Sequence, residues 1–245
     1  MVFKDIPKFV INLERRPDRL ESTKKELDYL GWDFELFKAI DKNSHVGCTY
    51  SHTSILKIAK ERGYKEVLIV EDDCTVMPYA KSLLNKIENE CKNLEYAIFN
   101  LAPTLNRPVN RSENSPLLID ISNFPPSGPE HRGIFATNMI LYHESSYDDV
   151  IKIEENENWR FYAIDDYLYQ KVYQKKQSYC PILPIAPQLG NDWSDVSQQM
   201  CNNFYGQTYN WNLYSRTKIP TEFLNINENK KFKEQGIHKE FIYEN

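Results

Sequence analysis

The feature that most constrains the fold is the apolar run Val67–Val70, which leads directly into three acids, Glu71, Asp72 and Asp73. A short continuous apolar run is typical of a strand that is buried on both faces of a sheet, as in α/β proteins. Ligands of open α/β sheets gather outside the carboxyl ends of the strands. The run therefore predicts a central strand, with acids at the place where a binding site is expected.

Three adjacent carboxylates repel one another, so a fold keeps them only if water or a cation neutralises the repulsion. One interpretation is a solvated strand end whose acids cap the following turn. The other is a metal site, because Mn²⁺ and Mg²⁺ prefer oxygen ligands from carboxylates, phosphates and water. The acids alone leave both interpretations open.

The bulk composition predicts a globular domain. The 245 residues are 41% hydrophobic and 27% charged, with a net charge of −5, which excludes the broad basic surface typical of nucleic-acid-binding proteins. The absence of a signal-peptide pattern or a membrane-length apolar window predicts a cytoplasmic protein. No two of the five cysteines have zinc-ligand spacing, so reduced and mostly buried thiols are expected.

The order of apolar and amphipathic segments predicts an α/β fold that opens strand, helix, strand. The expected strands cover Lys8–Leu13, Trp32–Ile40, Val67–Val70, Tyr96–Leu101 and Ile134–Tyr142. The expected helices cover Arg16–Gly31, Val46–Gly63, Tyr79–Asn93, Ser145–Ile153 and Ala163–Gln174, with Ser145 or Ser146 as a cap.

Two segments do not fit this alternation. The proline-rich stretch Ala102–Arg132 predicts a long irregular loop of the kind that forms lids or binding loops. The chain is expected to form one domain over residues 1–216, followed by a charged extension over residues 217–245 that is helical or partly mobile.

Four motifs occur in a characteristic order. They are INLERRPDR (Ile11–Arg19), KAID (Lys38–Asp41), VGCTYSH (Val46–His52) and LIVEDD (Leu68–Asp73). Together with the later ATNMILY, IDDYL and WSDV, they resemble glycosyltransferase family 25, which includes bacterial lipooligosaccharide galactosyltransferases and collagen galactosyltransferase domains. The resemblance extends from about Lys8 to Val196.

The resemblance implies a single GT-A type, Rossmann-like nucleotide-sugar-binding domain with a mixed central sheet. It also implies inverting transfer of a hexose from a UDP-sugar, usually UDP-galactose, to a hydroxyl group of a glycan or a hydroxylated peptide. Mn²⁺ or Mg²⁺ is the implied cofactor, since a cation is needed between a diphosphate and the acids. Lipopolysaccharide biosynthesis and collagen glycosylation are the settings known for the family.

The resemblance also implies a set of site residues. Asp73 is expected to bind the metal, with Glu71 as a direct or water-mediated ligand, and Asp72 is expected to contact the ribose or the donor sugar. The implied nucleotide-sugar contacts are Asn12, Leu13, Arg15, Arg19, Ala39, Asp41, Ser51 and His52.

Two of these contacts have alternative interpretations. Arg19 is also compatible with a surface ion pair to a glutamate of its own helix. An inward-facing histidine such as His52 is often a hydrogen-bonded core residue. Gly47 is expected to permit a close approach of the backbone.

An inverting transfer needs a base that takes the proton of the acceptor hydroxyl. Asp165 matches the family position and is the predicted base, with Asp166 as the second candidate or as an acceptor contact. The alternative is that both acids stabilise the start of a helix. Asp195 is a weaker candidate for completing the metal or phosphate site.

Two other functions compete with a transferase. A non-catalytic module on the same scaffold would bind a nucleotide sugar or a glycan without turnover. A metal-dependent phosphohydrolase is disfavoured, because such enzymes gather several His and Asp ligands in separate motifs. This chain has only five histidines, and none of them has a paired ligand spacing near the acids.

Overall fold

The computed structural model describes residues 2–42, 45–77, 79–105, 112, 115–122, 134–155 and 163–187, together with the backbone of residues 192–194 and 199–201. The predicted domain boundary at residue 216, the predicted C-terminal extension and Asp195 lie outside these residues.

The centre of the molecule is a mixed sheet. The strands are β1 (Lys8–Asn12), β2 (Glu35–Lys38), β3 (Glu66–Glu71), β4 (Ile98–Asn100), β5 (Thr104–Leu105), β6 (Leu118–Asp120), β7 (Ile134–Phe135), β8 (Met139–His143), β9 (Ser178–Pro181), β10 (Asp192–Ser194) and β11 (Gln199–Cys201). Seven of them form the central sheet in the order β2-β1-β3-β8-β4-β9-β6, while β5 pairs with β7 and β10 pairs with β11. Parallel pairs join β1 to β2, β1 to β3 and β4 to β9, and antiparallel pairs join β8 to β3 and β4 and β6 to β9. The predicted α/β class with a mixed central sheet is confirmed.

The helices lie between these strands in the chain. They are α1 (Pro17–Leu30), α2 (His45–Glu61), α3 (Ala80–Glu90), α4 (Glu144–Ile151) and α5 (Ile164–Tyr167), with a 3₁₀ turn at Lys152–Glu155 and a π-helical turn at Leu168–Val172. The predicted ends of α1 are confirmed. Pro17 occupies its first turn, and Gly31 closes it with a left-handed φ of 74°, a conformation that glycine adopts without a steric penalty.

The apolar run Val67–Val70 forms the middle of β3, and all of it is buried. Because β3 lies between β1 and β8, its hydrogen-bonding edges are both paired. Since β8 runs antiparallel, the carboxyl end of β3 lies beside the amino end of β8, with Val70 opposite Met139. The residues that precede Met139 therefore meet the acids that follow Val70.

The predicted single strand Ile134–Tyr142 is wrong, because the chain breaks it into β7 and β8. Ala136 sits at the break with a φ of 68°, the left-handed region that costs a non-glycine residue about 1–2 kcal/mol. An apolar pattern carries no signal for such a φ value. The consequence is that Thr137 and Asn138 leave the strand pattern and face the end of β3.

Two smaller predictions also need correction. The predicted Ser145 or Ser146 cap of α4 is wrong: the helix begins earlier, and the ring of His143 accepts a hydrogen bond from the Ser145 amide at 3.3 Å. The segment expected to be an irregular loop contributes β6 to the central sheet, because Leu118 and Ile119 are fully buried beside β9.

The burial of the cysteines and the length of the helices can be compared with the expectations from composition. Cys74, Cys91 and Cys180 are buried free thiols and Cys48 is a half-buried one, as predicted. Among the described residues, none of the helices combines the length and the apolar character required to cross a membrane.

Candidate functional site

The three acids after the apolar run face different elements. Side chains alternate between the two faces of a strand, so consecutive residues are directed apart. Glu71 contacts side chains of α2, whereas Asp72 contacts α1 and β1. This separation reduces the mutual repulsion that the sequence appeared to impose.

Asp72 is held by a buried polar cluster. Its carboxylate accepts a hydrogen bond from the Asn12 amide at 2.6 Å and an ion-paired one from Arg19 at 3.2 Å. Thr23 donates to its backbone carbonyl at 3.0 Å. Burial raises the pKa of Asp72, against the opposing effect of the Arg19 charge. The alternative of a surface ion pair for Arg19 is wrong, because this side chain is buried against Asp72.

Asp73 is the acid of the three whose pKa is raised into the neutral range. Asn138 donates to its carboxylate at 2.7 Å, and the Arg19 guanidinium lies 3.9 Å from its other oxygen. Burial, followed by the negative charges of Glu71 and Asp72, raises the pKa of Asp73 to about 7. At neutral pH this carboxyl group is therefore poised to exchange its proton for a cation.

Glu71 gathers several donors on one oxygen. The His52 ring nitrogen Nε2 lies 3.2 Å from Oε1, the Thr137 hydroxyl donates to the same atom, and the Cys48 sulfur lies 3.8 Å away. Burial acts to raise the pKa of Glu71, but the bonds from His52 and Thr137 outweigh it and hold the pKa below its ordinary value. Glu71 is thus an anion at neutral pH.

Asp165, at the start of α5, is tied to the break between β7 and β8. Its carboxylate accepts hydrogen bonds from the Ala136 amide at 3.3 Å and from the Asp166 amide at 2.9 Å. On the other side, the Asn100 amide donates to the Ala136 carbonyl at 2.9 Å. Asp165 is half-buried and Asp166 is only 2% exposed, so Asp165 is the more accessible of the two predicted bases.

The Cys48 thiol shows that these acids share one region. Burial raises its pKa well above the ordinary value, and the charges of Glu71, Asp165 and Asp73 raise it further. Such effects decline with distance, so the three carboxylates all lie near this thiol. The structure therefore places Asp165 in the same region of the molecule as Glu71 and Asp73.

Four predicted nucleotide-sugar contacts lie on the more open side. Arg15 and Asp41 form an ion pair with side chains that are 49% and 67% exposed. Leu13 and Ala39 are half-buried at the ends of β1 and β2, and the Ala39 amide donates to the carbonyl of Asn12 at 2.9 Å. Their contact with a nucleotide remains a prediction.

Ser51 and His52, two further predicted nucleotide-sugar contacts, have fully buried side chains. The Ser51 hydroxyl donates to the Gly47 carbonyl at 2.7 Å and accepts from the Ile40 amide at 2.9 Å. His52 lies between Glu71 and the Tyr142 hydroxyl, 3.3 Å from its Nδ1 atom. Both side chains hydrogen-bond inside the protein, and a contribution of either residue to nucleotide-sugar binding remains a prediction.

Gly47 permits the close approach that the sequence predicted. A Cβ atom at this position would lie 2.3 Å from the Ile40 carbonyl oxygen, a backbone atom that cannot rotate away. The loop after β2 is therefore packed directly onto α2.

Sequence reasoning missed Asn100, Thr137 and Asn138. Asn100 holds the Ala136 turn, Thr137 donates to Glu71, and Asn138 donates to Asp73. The available signal was the polar pair Thr137–Asn138 inside an otherwise apolar run. Buried polar side chains within a strand pattern usually have partners, and here the partners are the acids.

We expect the Asp73→Asn variant to be more stable than the wild type at pH 8 in the presence of EDTA. The pKa of Asp73 is raised from 3.8 to about 7, so the wild type loses stability as the pH rises between these values. The gain at pH 8 should be on the order of 2 kcal/mol in the free energy of unfolding, and it should disappear near pH 4.

Urea unfolding at pH 4 and pH 8 measures this effect. Asp18→Asn is the matched control, because the hydrogen bond from Arg16 lowers the pKa of exposed Asp18, so no gain is expected at pH 8. A gain for Asp73→Asn that is the same at both pH values would contradict the raised pKa.

The solved structures that are similar to this chain are remote from it in sequence. A glycosyltransferase involved in the glycosylation of the major capsid of PBCV-1 is 12% identical, with a TM-score of 0.44 over 67% of this chain and 74% of that one. The A197 protein of STIV is 13% identical, with a TM-score of 0.38 over 81% of this chain and 94% of that one.

Relatives found by sequence share a higher identity with this chain than these solved structures do. A "Glycosyltransferase 25 family member" of Drosophila melanogaster is 29% identical over 114 residues, which is 35% of this chain and 19% of that protein. One from Drosophila pseudoobscura pseudoobscura is 25% identical over 150 residues, which is 49% of this chain and 23% of that protein. The chain thus matches about a fifth of the length of these relatives.

The strongest family signal includes the acids themselves. Residues 42–119 match the model of "Glycosyltransferase family 25 (LPS biosynthesis protein)", a segment that contains α2, β3 and Glu71, Asp72 and Asp73. The family resemblance predicted from the motifs is confirmed. The family model and the curated relatives support the membership of this chain in glycosyltransferase family 25.

Proposed function

We propose that this chain is an inverting, metal-dependent glycosyltransferase. It transfers a hexose, galactose in the first instance and glucose or N-acetylglucosamine as alternatives, from a UDP-sugar to a hydroxyl of a glycan or a hydroxylated peptide. The observation that carries the proposal is the pairing of Asp73, whose pKa is raised to about 7, with the ionised Glu71 at the carboxyl end of the central strand. The match of this segment to the family supports the same conclusion.

The acid pair fits an oxygen-preferring divalent cation. The Asp73 side chain is only 13% exposed, and its burial together with the nearby charges of Glu71 and Asp72 disfavours the ionised form in the absence of a cation. A cation held by Asp73 and Glu71 would supply positive charge for the diphosphate of the donor and for the departing UDP. The same acids without a cation would repel a diphosphate.

The nucleotide side of the site is already organised by the protein. Asp72 is fixed by Asn12 and Arg19, so its carboxylate is oriented before any ligand arrives. Arg15 and Asp41 provide exposed charged groups at the neighbouring strand ends. Groups held in place before binding lose less entropy when a ligand contacts them.

Asp165 is the proposed base. It is more accessible than Asp166, it lies near the acid pair, and the Ala136 amide orients it. In an inverting transfer it takes the proton of the acceptor hydroxyl as the oxygen attacks the anomeric carbon and UDP departs.

Calorimetric titration of UDP tests the donor site. We expect UDP to bind the wild type in the presence of Mn²⁺ and to show at least about tenfold weaker binding in EDTA, because the cation bridges phosphate and acid. Asp73→Asn should lose the Mn²⁺-dependent part, whereas Asp18→Asn, an exposed acid of α1, should retain it.

Three other results of these measurements would each contradict part of the proposal. Absence of UDP binding in both conditions would refute the nucleotide-sugar proposal. Binding that ignores EDTA and Asp73→Asn would remove the metal from the mechanism. Donor binding without any release of UDP from a panel of UDP-sugars, with or without acceptor, would favour a non-catalytic binding module.

A further inference from the structure

We infer that Cys48, His52 and Glu71 form a binding site for a thiophilic divalent cation such as Zn²⁺. This site shares Glu71 with the oxygen site proposed at Asp73, but it takes a sulfur from Cys48 and a nitrogen from His52, so the preferred metal differs. It does not depend on the proposed transfer activity, because it follows from three side chains and their geometry.

The ligand set combines the three donor types of protein zinc sites. Cys48 offers a sulfur, His52 the ring nitrogen Nε2 and Glu71 the oxygen Oε1, and these atoms all lie within 4.8 Å of one another. Thiolate, imidazole and carboxylate are the ligands that bind Zn²⁺ in proteins. Mn²⁺ and Mg²⁺, in contrast, favour sites made of oxygen atoms.

The distances between the ligand atoms fit a tetrahedral ion. With Zn–N and Zn–O bonds of about 2.0 Å and a Zn–S bond of about 2.3 Å, tetrahedral angles separate N from O by about 3.3 Å and S from O by about 3.5 Å. The observed separations are 3.2 Å from His52 Nε2 to Glu71 Oε1 and 3.8 Å from Cys48 Sγ to the same oxygen. Both separations lie within about 0.3 Å of the tetrahedral values, and Cys48 Sγ lies within 4.8 Å of His52 Nε2.

Two secondary-structure elements fix this arrangement. Cys48 and His52 are four residues apart on α2, so they lie on one helical face. Glu71 ends β3, which packs against α2. The spacing of cysteine pairs does not reveal this site, because two ligands come from one helix and the third comes from a strand.

The surroundings supply what a metal-bound histidine requires. The second ring nitrogen of His52, Nδ1, lies 3.3 Å from the Tyr142 hydroxyl, which orients the ring and can accept the Nδ1 proton when Nε2 binds the ion. The side chain of Glu71 is 22% exposed and Cys48 is half-buried, which leaves a path for the ion and a fourth position for water or a ligand.

Cobalt spectroscopy tests the site directly. Co²⁺ is titrated into the full chain after reduction and removal of metals with EDTA. Tetrahedral Co²⁺ bound to a thiolate gives strong visible bands and a near-ultraviolet thiolate-to-cobalt charge-transfer band. We expect both in the wild type, and we expect Zn²⁺ to abolish them by displacement.

Four variants test the thiolate ligand, the support of the His52 ring and the independence of this site from Asp73. Cys48→Ser should lose the charge-transfer band, and Cys91→Ser, which changes another buried thiol, should keep it. Tyr142→Phe should weaken Zn²⁺ binding by about 10–100-fold through the loss of the partner of Nδ1. Asp73→Asn should keep the band, so failure of the oxygen site and failure of this site give different results.

Several results would overturn the inference. One is a wild-type protein that gives no charge-transfer band. Others are a band that survives in Cys48→Ser, or one that disappears in Cys91→Ser. Circular dichroism of each variant before titration ensures that a lost band reflects a lost ligand in a folded protein.

Discussion

Replacement of Asp165 by Asn should lower the release of UDP from its donor sugar by about 10²–10⁴-fold, the usual contribution of a general base. The amide cannot accept the proton of the attacking hydroxyl. Binding of UDP should be unchanged, because Asp165 is proposed to act on the acceptor hydroxyl and not on the donor nucleotide. Steady-state release of UDP and calorimetry of UDP measure the two quantities separately.

The control for this variant is Asp148→Asn, which neutralises an exposed acid of α4 that pairs with Lys60 away from the site. Asp148→Asn should reduce the rate of UDP release by less than about threefold, because a surface ion pair contributes little. If Asp165→Asn lowers the rate by less than about tenfold, Asp165 is not the base. If it abolishes UDP binding as well, its role is structural.

Replacement of Arg19 by Ala should destabilise the fold by about 3–5 kcal/mol, the cost of leaving a buried ion without its partner. Asp72 would lose its guanidinium contact at 3.2 Å, and the Arg19 contribution to Asp73 would also disappear. Urea unfolding at pH 7.5 measures the change in the free energy of unfolding. A second substitution, Asp72→Asn, should restore part of the stability by removing the stranded charge.

Arg15→Ala is the matched control, because its pair with Asp41 is exposed. Surface pairs contribute about 0–1 kcal/mol, so this variant should lie within 1 kcal/mol of the wild type. A loss of less than about 1 kcal/mol in Arg19→Ala would mean that Asp72 is compensated by Asn12 alone or by water.

The central part of the fold was predictable because local signals agreed with the tertiary structure there. Val67–Val70 is apolar without interruption and becomes a fully paired strand, and Pro17 and Gly31 bound α1 as expected. The strand-end position of the acids followed from the same run. These features depend on residues that are adjacent in sequence, which a linear pattern can reveal.

There is a physical reason why the arrangement around the acids could not be predicted from the sequence. The partners of Asp72 and Asp73 come from residues 53 and 65 positions away, Arg19 and Asn138. The break at Ala136 depends on tertiary hydrogen bonds that overcome a backbone preference, and no local pattern reports them. The burial of Ser51 and His52 likewise follows from how α2 packs.

The left-handed turn at Ala136 determines how precisely the two halves of the site are spaced. Ala136 contacts Asp165, Thr137 contacts Glu71, and Asn138 contacts Asp73. Three covalently consecutive residues thus span from the proposed base to the proposed metal ligands, so small displacements between the helices and the sheet do not accumulate in that spacing. The distance between the proposed base and the proposed metal ligands is therefore set by one short backbone segment. This suits a reaction whose groups must be held within about 0.5 Å of their productive positions.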